Sequence, residues 1–536
     1  MSGGHARAGL RFDATDALAL GAILAVTLVL ALVFYTALRG NDETVYTRLA
    51  YELASGRWPG VADVYTARFG IFGPTALLFT LVGPAEWVAN AWTIAASLGE
   101  IALVYAFARS GWGRGAAILA ATLLAFAPLH VVGTGALIGD APLALFLTMS
   151  FCAFHWGERA ERGYRWYALS GLAFGGAFWV KQQILVCGIV FVVFPLLQRR
   201  WKRGWTAALA GVALALVLYA VALHFAFGSV AAFVSAMREN VAMNVTTQFA
   251  DYAPFTYFYL LFHDYRATFL IAYVAVIGAG LALLPRGAAG MSPERYVVIW
   301  GAGLILVMSF GVISLDPLRF FPKQNNYILV FLAPLALLSG FALSRLARAW
   351  SGLVMAGMVA GSLVIASADQ LAERTLIANL RPAAAYVRQH GESEIYASHR
   401  FAKAIPLLTL FETGVWQPRP LSAVDFPEPL RPDAGGGCAG TGGGPARLVI
   451  VDPATMYQGW HKEFVRFDAI PPCWRTVATL RGTDPGIGSG IIRALEDVLA
   501  LLPPPAAGVG LRLLGWFVKL PPPPQPATVY EMPGLP

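Results

Sequence analysis

Asn41-Asp42-Glu43 places two carboxylates where a long apolar run, about residues 17–38, gives way to polar sequence. A carboxylate at a membrane–water boundary can take a proton from an acceptor hydroxyl while an apolar lipid stays in the bilayer. The same residues can instead cap the next helix, because acidic side chains favour a helix N-terminus and Thr44 to Ser55 reads as helical. Asp140, in Gly139-Asp140-Ala141-Pro142, opens a later apolar run, and an acid followed closely by Pro is also an ordinary helix start. Four cations, Arg68, Lys181, Arg319 and Lys323, stand near run ends. Such groups can hold the negative charge that grows on a departing phosphate, or simply extend their heads into the lipid headgroup layer. Lys181 is the most pointed of them, interrupting Phe178-Trp179-Val180 and Gln182-Gln183-Ile184 with almost no loop around it.

The elements that must position these groups are set by composition. Of 536 residues, 57% are apolar and only 13% charged, which excludes an ordinary water-soluble enzyme. The 15 Trp and 33 Phe, spread through long apolar runs, exclude a disordered or collagenous chain. A net charge of +8 is what basic cytoplasmic loops supply in a membrane chain, and it does not call for nucleic acid. Four Cys make no disulfide scaffold: Cys152 and Cys187 sit in apolar runs, and Cys438 and Cys473 in the tail can pair.

Apolar runs long enough for a ~30 Å hydrocarbon core fall near 17–38, 88–108, 115–131, 139–157, 166–180, 182–198, 206–227, 267–285, 296–315, 325–343 and 351–368. With the amino terminus inside, every second connection is basic: Arg7 and Arg11; Arg109 and Arg114; Arg159, Arg162 and Arg165; Arg199, Arg200, Lys202 and Arg203; Arg286 and Arg295; Arg345 and Arg348. That alternation follows the positive-inside rule and favours about eleven spans with the carboxyl terminus outside. The expected fold class is therefore a polytopic α-helical membrane protein, its membrane domain covering 1–369 with a first outer loop at 39–87. Asp42, Asp140 and the four cations then fall on the outer, extracytoplasmic side. Two acidic sites at outer helix ends can converge on a wet cleft beside an apolar slot.

The tail, 370–536, regains charge, Pro and Gly. Short β-rich runs at 394–397, 447–451 and 528–531 alternate with helical patches near 376–390, 400–412 and 491–502, which predicts a small outer α/β domain. The apolar stretch 498–518 contains Pro503-Pro504-Pro505 and Arg512, which argue against a further span. His263-Asp264 lacks the neighbours of a metal site, and the glycine run 435–442 lacks the Lys-Ser/Thr ending of a phosphate loop.

Taken in order, several segments resemble the GT-C superfamily of membrane glycosyltransferases, and most of all glycosyltransferase family 39, whose relatives include protein O-mannosyltransferases and lipid A aminoarabinose transferases. They are Asp42-Glu43-Thr44-Val45-Tyr46, the segment 68–74 (Arg68 to Pro74), Gly139-Asp140-Ala141-Pro142-Leu143-Ala144, the segment 171–181 ending in Trp179-Val180-Lys181, and the segment 327–338 beginning Tyr327-Ile328-Leu329. The likeness covers roughly residues 10–345. Two departures stand out. Many relatives carry Lys-Pro-Pro in the first loop, where this chain has Arg68-Phe69-Gly70-Ile71-Phe72-Gly73-Pro74; an Arg usually precedes the late Tyr, where this chain has Asn325-Asn326.

The resemblance implies a GT-C-like bundle, a sugar donor linked to a polyprenyl phosphate, and a lipid, glycan or protein acceptor at the outer face of a bacterial inner membrane. It makes Asp42 the general base with Glu43 its partner, and Asp140 the acidic residue of the second outer loop. Arg68, Lys181, Arg319 and Lys323 would bind the phosphate. No cofactor is required by this chemistry, although Asp42 and Glu43 can ligate one divalent cation. The competing classes are a secondary transporter or lipid flippase, for which glycines near Gly171, Gly175 and Gly176 would break a helix, and an O-antigen ligase or polymerase.

Overall fold

A computed structural model describes residues 12–58, 60–161, 163–198, 202–246, 253–285, 291–390, 394–414, 447–456, 470, 473–482, 486–518 and 520–532. Arg7, Arg11, Arg162, Arg199, Arg200, Arg286, Cys438 and the glycine run 435–442 lie outside the described residues. The chain divides into two compact units: Met1–Phe34, Arg57–Pro74 and Ala91–Ala366 form the first, and Tyr35–Gly56, Thr75–Asn90 and Ser367–Pro536 the second.

Helix underlies each apolar run, as it must where lipid offers the backbone no hydrogen-bond partner. Among the described residues six helices are long and apolar enough to cross a membrane, including Ala14–Val33, Glu86–Trp112 and Trp205–Phe227. Shorter apolar helices include Arg114–Phe126, Ile271–Leu283 and, inside the stretch expected to be the first outer loop, Phe69–Val82. Two runs end earlier than their hydrophobicity suggests. The first stops being helical at Val33. Beyond it the Tyr35 carbonyl is bonded by Arg374 Nε at 3.0 Å, which satisfies an acceptor that a continuing helix would have used. The run 296–315 leaves the helix at Phe310 and turns into a two-stranded antiparallel hairpin, β1 (Val312–Leu315) and β2 (Leu318–Phe320), around Asp316-Pro317.

Within the first unit the helix Leu329–Leu343 is buried at every residue, so the other helices pack around it. Helices Tyr164–Val180 and Trp205–Phe227 approach through small residues. A methyl group on Gly171 would lie 1.9 Å from the Ala208 carbonyl oxygen, and one on Gly175 would lie 2.1 Å from the Ala215 Cβ. Close approach of this kind is how apolar helices gain contact when lipid competes equally for their side chains. The glycines are therefore packing positions inside an unbroken helix, and the helix break that would favour a transporter is not present there. Gly171→Val forces backbone apart and is expected to cost at least about 1–3 kcal/mol, read as a lowered melting temperature of the detergent-purified protein.

In the second unit, β3 (Glu394–Tyr396), β4 (Arg447–Val451), β5 (Arg475–Leu480) and β6 (Ala527–Met532) form a sheet in the order β3-β4-β6-β5. β3 and β4 are parallel, and the other two pairings are antiparallel. Leu380, Phe401, Leu408, Ile450 and Val529 close the core between this sheet and helices Leu380–Gln389 and His399–Thr413. Strands and helices alternate along the described part of the tail, and β5 is a strand that the sequence reading did not place. Between 498 and 518 the helix Gly486–Ala500 ends and Pro504–Phe517 begins at the proline run, each too short to span. Cys473 is disulfide-bonded, while Cys152 and Cys187 are free and buried.

Candidate functional site

Four of the sequence segments meet in the first unit. Gly139 lies where a methyl group would touch Ile71 Cδ1 at 2.7 Å and Val180 Cγ1 at 3.2 Å. Gly70 lies equally close to Val180, at 2.8 Å, and Trp92 Nε1 holds the Gly70 carbonyl at 3.1 Å. The glycines are needed because three backbones pass within side-chain distance of one another. This crossing delivers Asp140, Lys181 and the Arg68 turn to one place.

Asp140 is the first residue of helix Asp140–Arg159 and only 1% exposed. Its carboxylate does not cap the helix. Oδ1 accepts from Lys181 Nζ at 2.5 Å, and Oδ2 accepts from Asn326 Nδ2 at 2.7 Å. Lys181 follows directly on helix Tyr164–Val180 in extended conformation and is 5% exposed. Its ammonium also sits 4.1 Å from the ring centroid of Tyr327, whose hydroxyl accepts from Gln183 Nε2 at 3.0 Å. A buried charge pair is tolerated when further hydrogen bonds complete it, which is what Asn326 and the aromatic ring supply. Asn326 is thus one of the two residues at which the chain departs from the family pattern it resembles, and the only sign of its role in the sequence was its place directly before Tyr327.

The other cations of this unit are placed separately. Gln182 Nε2 donates to the Ala67 carbonyl at 3.0 Å and to the Tyr219 hydroxyl at 2.8 Å, and Tyr219 donates to the same carbonyl at 2.8 Å. These bonds fix the backbone that carries Arg68. Arg319 lies on β2, and Lys323 is buried just after it, with its ammonium 5.3 Å from the Phe320 ring. His263-Asp264 is not a reactive pair: the His263 ring stacks on Tyr259, and Asp264 pairs with Arg266. Among the described residues no three His, Cys, Asp or Glu side chains are grouped to hold a metal.

Asp42 and Glu43 belong to the second unit and divide their labour. Asp42 begins helix Asp42–Ala54 with its side chain exposed, whereas Glu43 is 1% exposed. Glu43 Oε1 accepts the backbone N–H of Arg39 at 2.7 Å and that of Asn41 at 3.1 Å, with the Arg39 guanidinium 4.0 Å from Oε2. Gly40, at φ +74, presses against the Arg400 backbone. Glu43 therefore secures the turn that presents Asp42. Burial pushes the Lys403 ammonium below its ordinary pKa, while the Asp42 and Glu43 carboxylates pull it back. Arg39, Arg400 and Lys403 were not legible as neighbours, because two of them stand more than 350 residues along the chain from Asp42. Glu43→Ala is expected to cost about 1–3 kcal/mol by orphaning two backbone donors, measured as a loss of thermal stability.

Residues 74–225 match the profile of the dolichyl-phosphate-mannose-protein mannosyltransferase family. The crystal structure of ArnT from Cupriavidus metallidurans in the apo state is similar at 19% identity and a TM-score of 0.55, over 83% of this chain and 94% of that one. The structure of the same ArnT bound to undecaprenyl phosphate is similar at 18% identity and a TM-score of 0.56, over 88% and 97%. No curated protein sequence matches the chain. The chain thus has a fold similar to that of ArnT, and a stretch of its membrane domain matches the mannosyltransferase family profile.

Proposed function

We propose that the protein is a membrane glycosyltransferase that moves a sugar from a polyprenyl-phosphate-linked donor to an acceptor at the outer face of the membrane. The observation that carries this reading is the meeting of segments 68–74, 139–144, 171–181 and 325–338 at Asp140, Lys181, Asn326 and Tyr327, within a GT-C fold. The ArnT structure with undecaprenyl phosphate supports the class of donor.

In this reading the acceptor oxygen attacks the anomeric carbon as the bond from that carbon to the phosphate oxygen breaks. The acceptor proton passes to Asp42, and polyprenyl phosphate leaves with the bonding electron pair. A single displacement inverts the anomeric centre. Phosphate is already a good leaving group, so no acid opposite the base is needed, unlike the paired carboxyls of glycoside hydrolysis. Arg68, Arg319 and Lys323 supply positive charge for the departing phosphate. Lys181 adds N–H donors whose direction Asp140 and Asn326 fix. Asp140, with both oxygens engaged, is a positioning residue rather than a second base. Glu43 accepts its two N–H groups on Oε1 and stands beside Arg39, and no step of this reading is routed through a divalent ion.

The test is mass analysis of envelope lipids and glycans from cells with and without the gene. A single glycosyl mass missing from one acceptor class without it is the expected result. Unchanged glycans together with altered solute uptake by sealed vesicles would replace the reading with transport.

A further inference from the structure

At the other end of the first unit's helices, a cavity of about 530 Å³ is lined by His155, Arg159, Lys202, Arg295 and Leu197, with Glu158 at its wall. These residues come from helix ends and connections that the positive-inside pattern assigns to the cytoplasmic side, far along the helices from Asp140. Glu158 is neutralised within the protein: Lys202 donates to it at 2.8 Å, and Tyr167 and Trp205 each donate at 2.7 Å. The Arg295 guanidinium donates to the Ala282 and Leu284 carbonyls, and among the described residues no carboxylate is paired with Arg159 or Arg295. The cavity therefore keeps a net positive charge.

A second observation points to a ligand. His155 is 3% exposed, wedged between the rings of Phe107 and Tyr296 at 4.8 and 4.7 Å, and among the described residues its Nε2 has no hydrogen-bond partner. A buried imidazole nitrogen left unmatched at the wall of a cationic cavity costs free energy that an anionic oxygen would recover. The cavity also adjoins apolar surface. Leu196 and Leu197 on helix Ile189–Gln198 are 69% and 59% exposed, and Leu197 is itself a wall residue.

We infer that this cavity binds the phosphodiester headgroup of an anionic phospholipid, with Arg159 and Arg295 on the phosphate and an acyl chain along Leu196 and Leu197. A volume near 530 Å³ suits a headgroup and glycerol better than a bare ion. The site lies apart from the reaction residues and does not depend on the transferase reading.

The experiment is native mass spectrometry of the detergent-purified full chain, titrated with phosphatidylglycerol, phosphatidylcholine or inorganic phosphate. One phosphatidylglycerol should be retained in preference to phosphatidylcholine. Arg159→Gln removes one exposed cation and should weaken that retention about fivefold. Arg203→Gln, an exposed neighbour outside the cavity wall, should leave it unchanged. Unaltered retention in Arg159→Gln overturns the assignment, as does an equal loss in Arg203→Gln. Displacement of the lipid by equimolar inorganic phosphate overturns the lipid as occupant. Thermal unfolding of both variants confirms that they are folded when compared.

Discussion

Asp42→Asn should lower glycosyl transfer by about 10²–10⁴-fold, the contribution of a positioned general base, while the protein remains folded and inserted. The side chain is exposed at the first position of its helix, and Asn has the same size. The turn before it is secured by Glu43, which the substitution leaves in place. Transfer measured in membranes with a lipid-linked donor, beside thermal unfolding of the purified variant, separates loss of chemistry from loss of structure. Wild-type transfer by Asp42→Asn would remove Asp42 as the base.

The second large effect falls on the buried pair. Lys181→Met leaves the Asp140 carboxylate 1% exposed with Asn326 as its remaining partner, and breaking such a pair costs about 3–5 kcal/mol. Adding Asp140→Asn to Lys181→Met removes the stranded charge and should recover much of that stability without restoring transfer. The comparison needs only the order of the two melting temperatures, so it holds even where the single variant is recovered poorly. Equal stability of wild type and Lys181→Met would show that the ion pair does not hold this crossing together.

Much of this was open to reading because lipid imposes a simple rule on sequence. A run near 20 apolar residues must be helical, and the sites of Asp140 and Lys181 at run ends follow from where those runs stop. The rule is blind to what happens after a helix ends. It extended the run 296–315 through β1, since Val312 and Ile313 are as apolar in a strand as in a helix. It also treated Phe69–Val82 as loop because a short apolar helix sat among charged neighbours.

The site was legible by residue type and not by pairing. Asp140 could be a cap, a base or an ion-pair partner, and only a contact 186 residues away, from Asn326, decides how its second oxygen is used. Glu43 shows the same ambiguity at short range. Its neighbour Asp42 is exposed while Glu43 reaches back to Arg39 and Asn41, a division that depends on the chain turning at Gly40. In Gly171 and Gly175 the sequence offered a break and packing offered an interface, and the contacts with the Ala208 carbonyl and the Ala215 methyl settled which.

The most direct measurement uses the full chain reconstituted in liposomes with a synthetic polyprenyl-monophosphate-linked sugar and extracted envelope acceptors. Release of polyprenyl phosphate in step with glycosylated acceptor, with inverted configuration at the anomeric carbon, is the predicted result. Turnover of a diphosphate-linked glycan with none of the monophosphate donor, or a product of retained configuration, would contradict it.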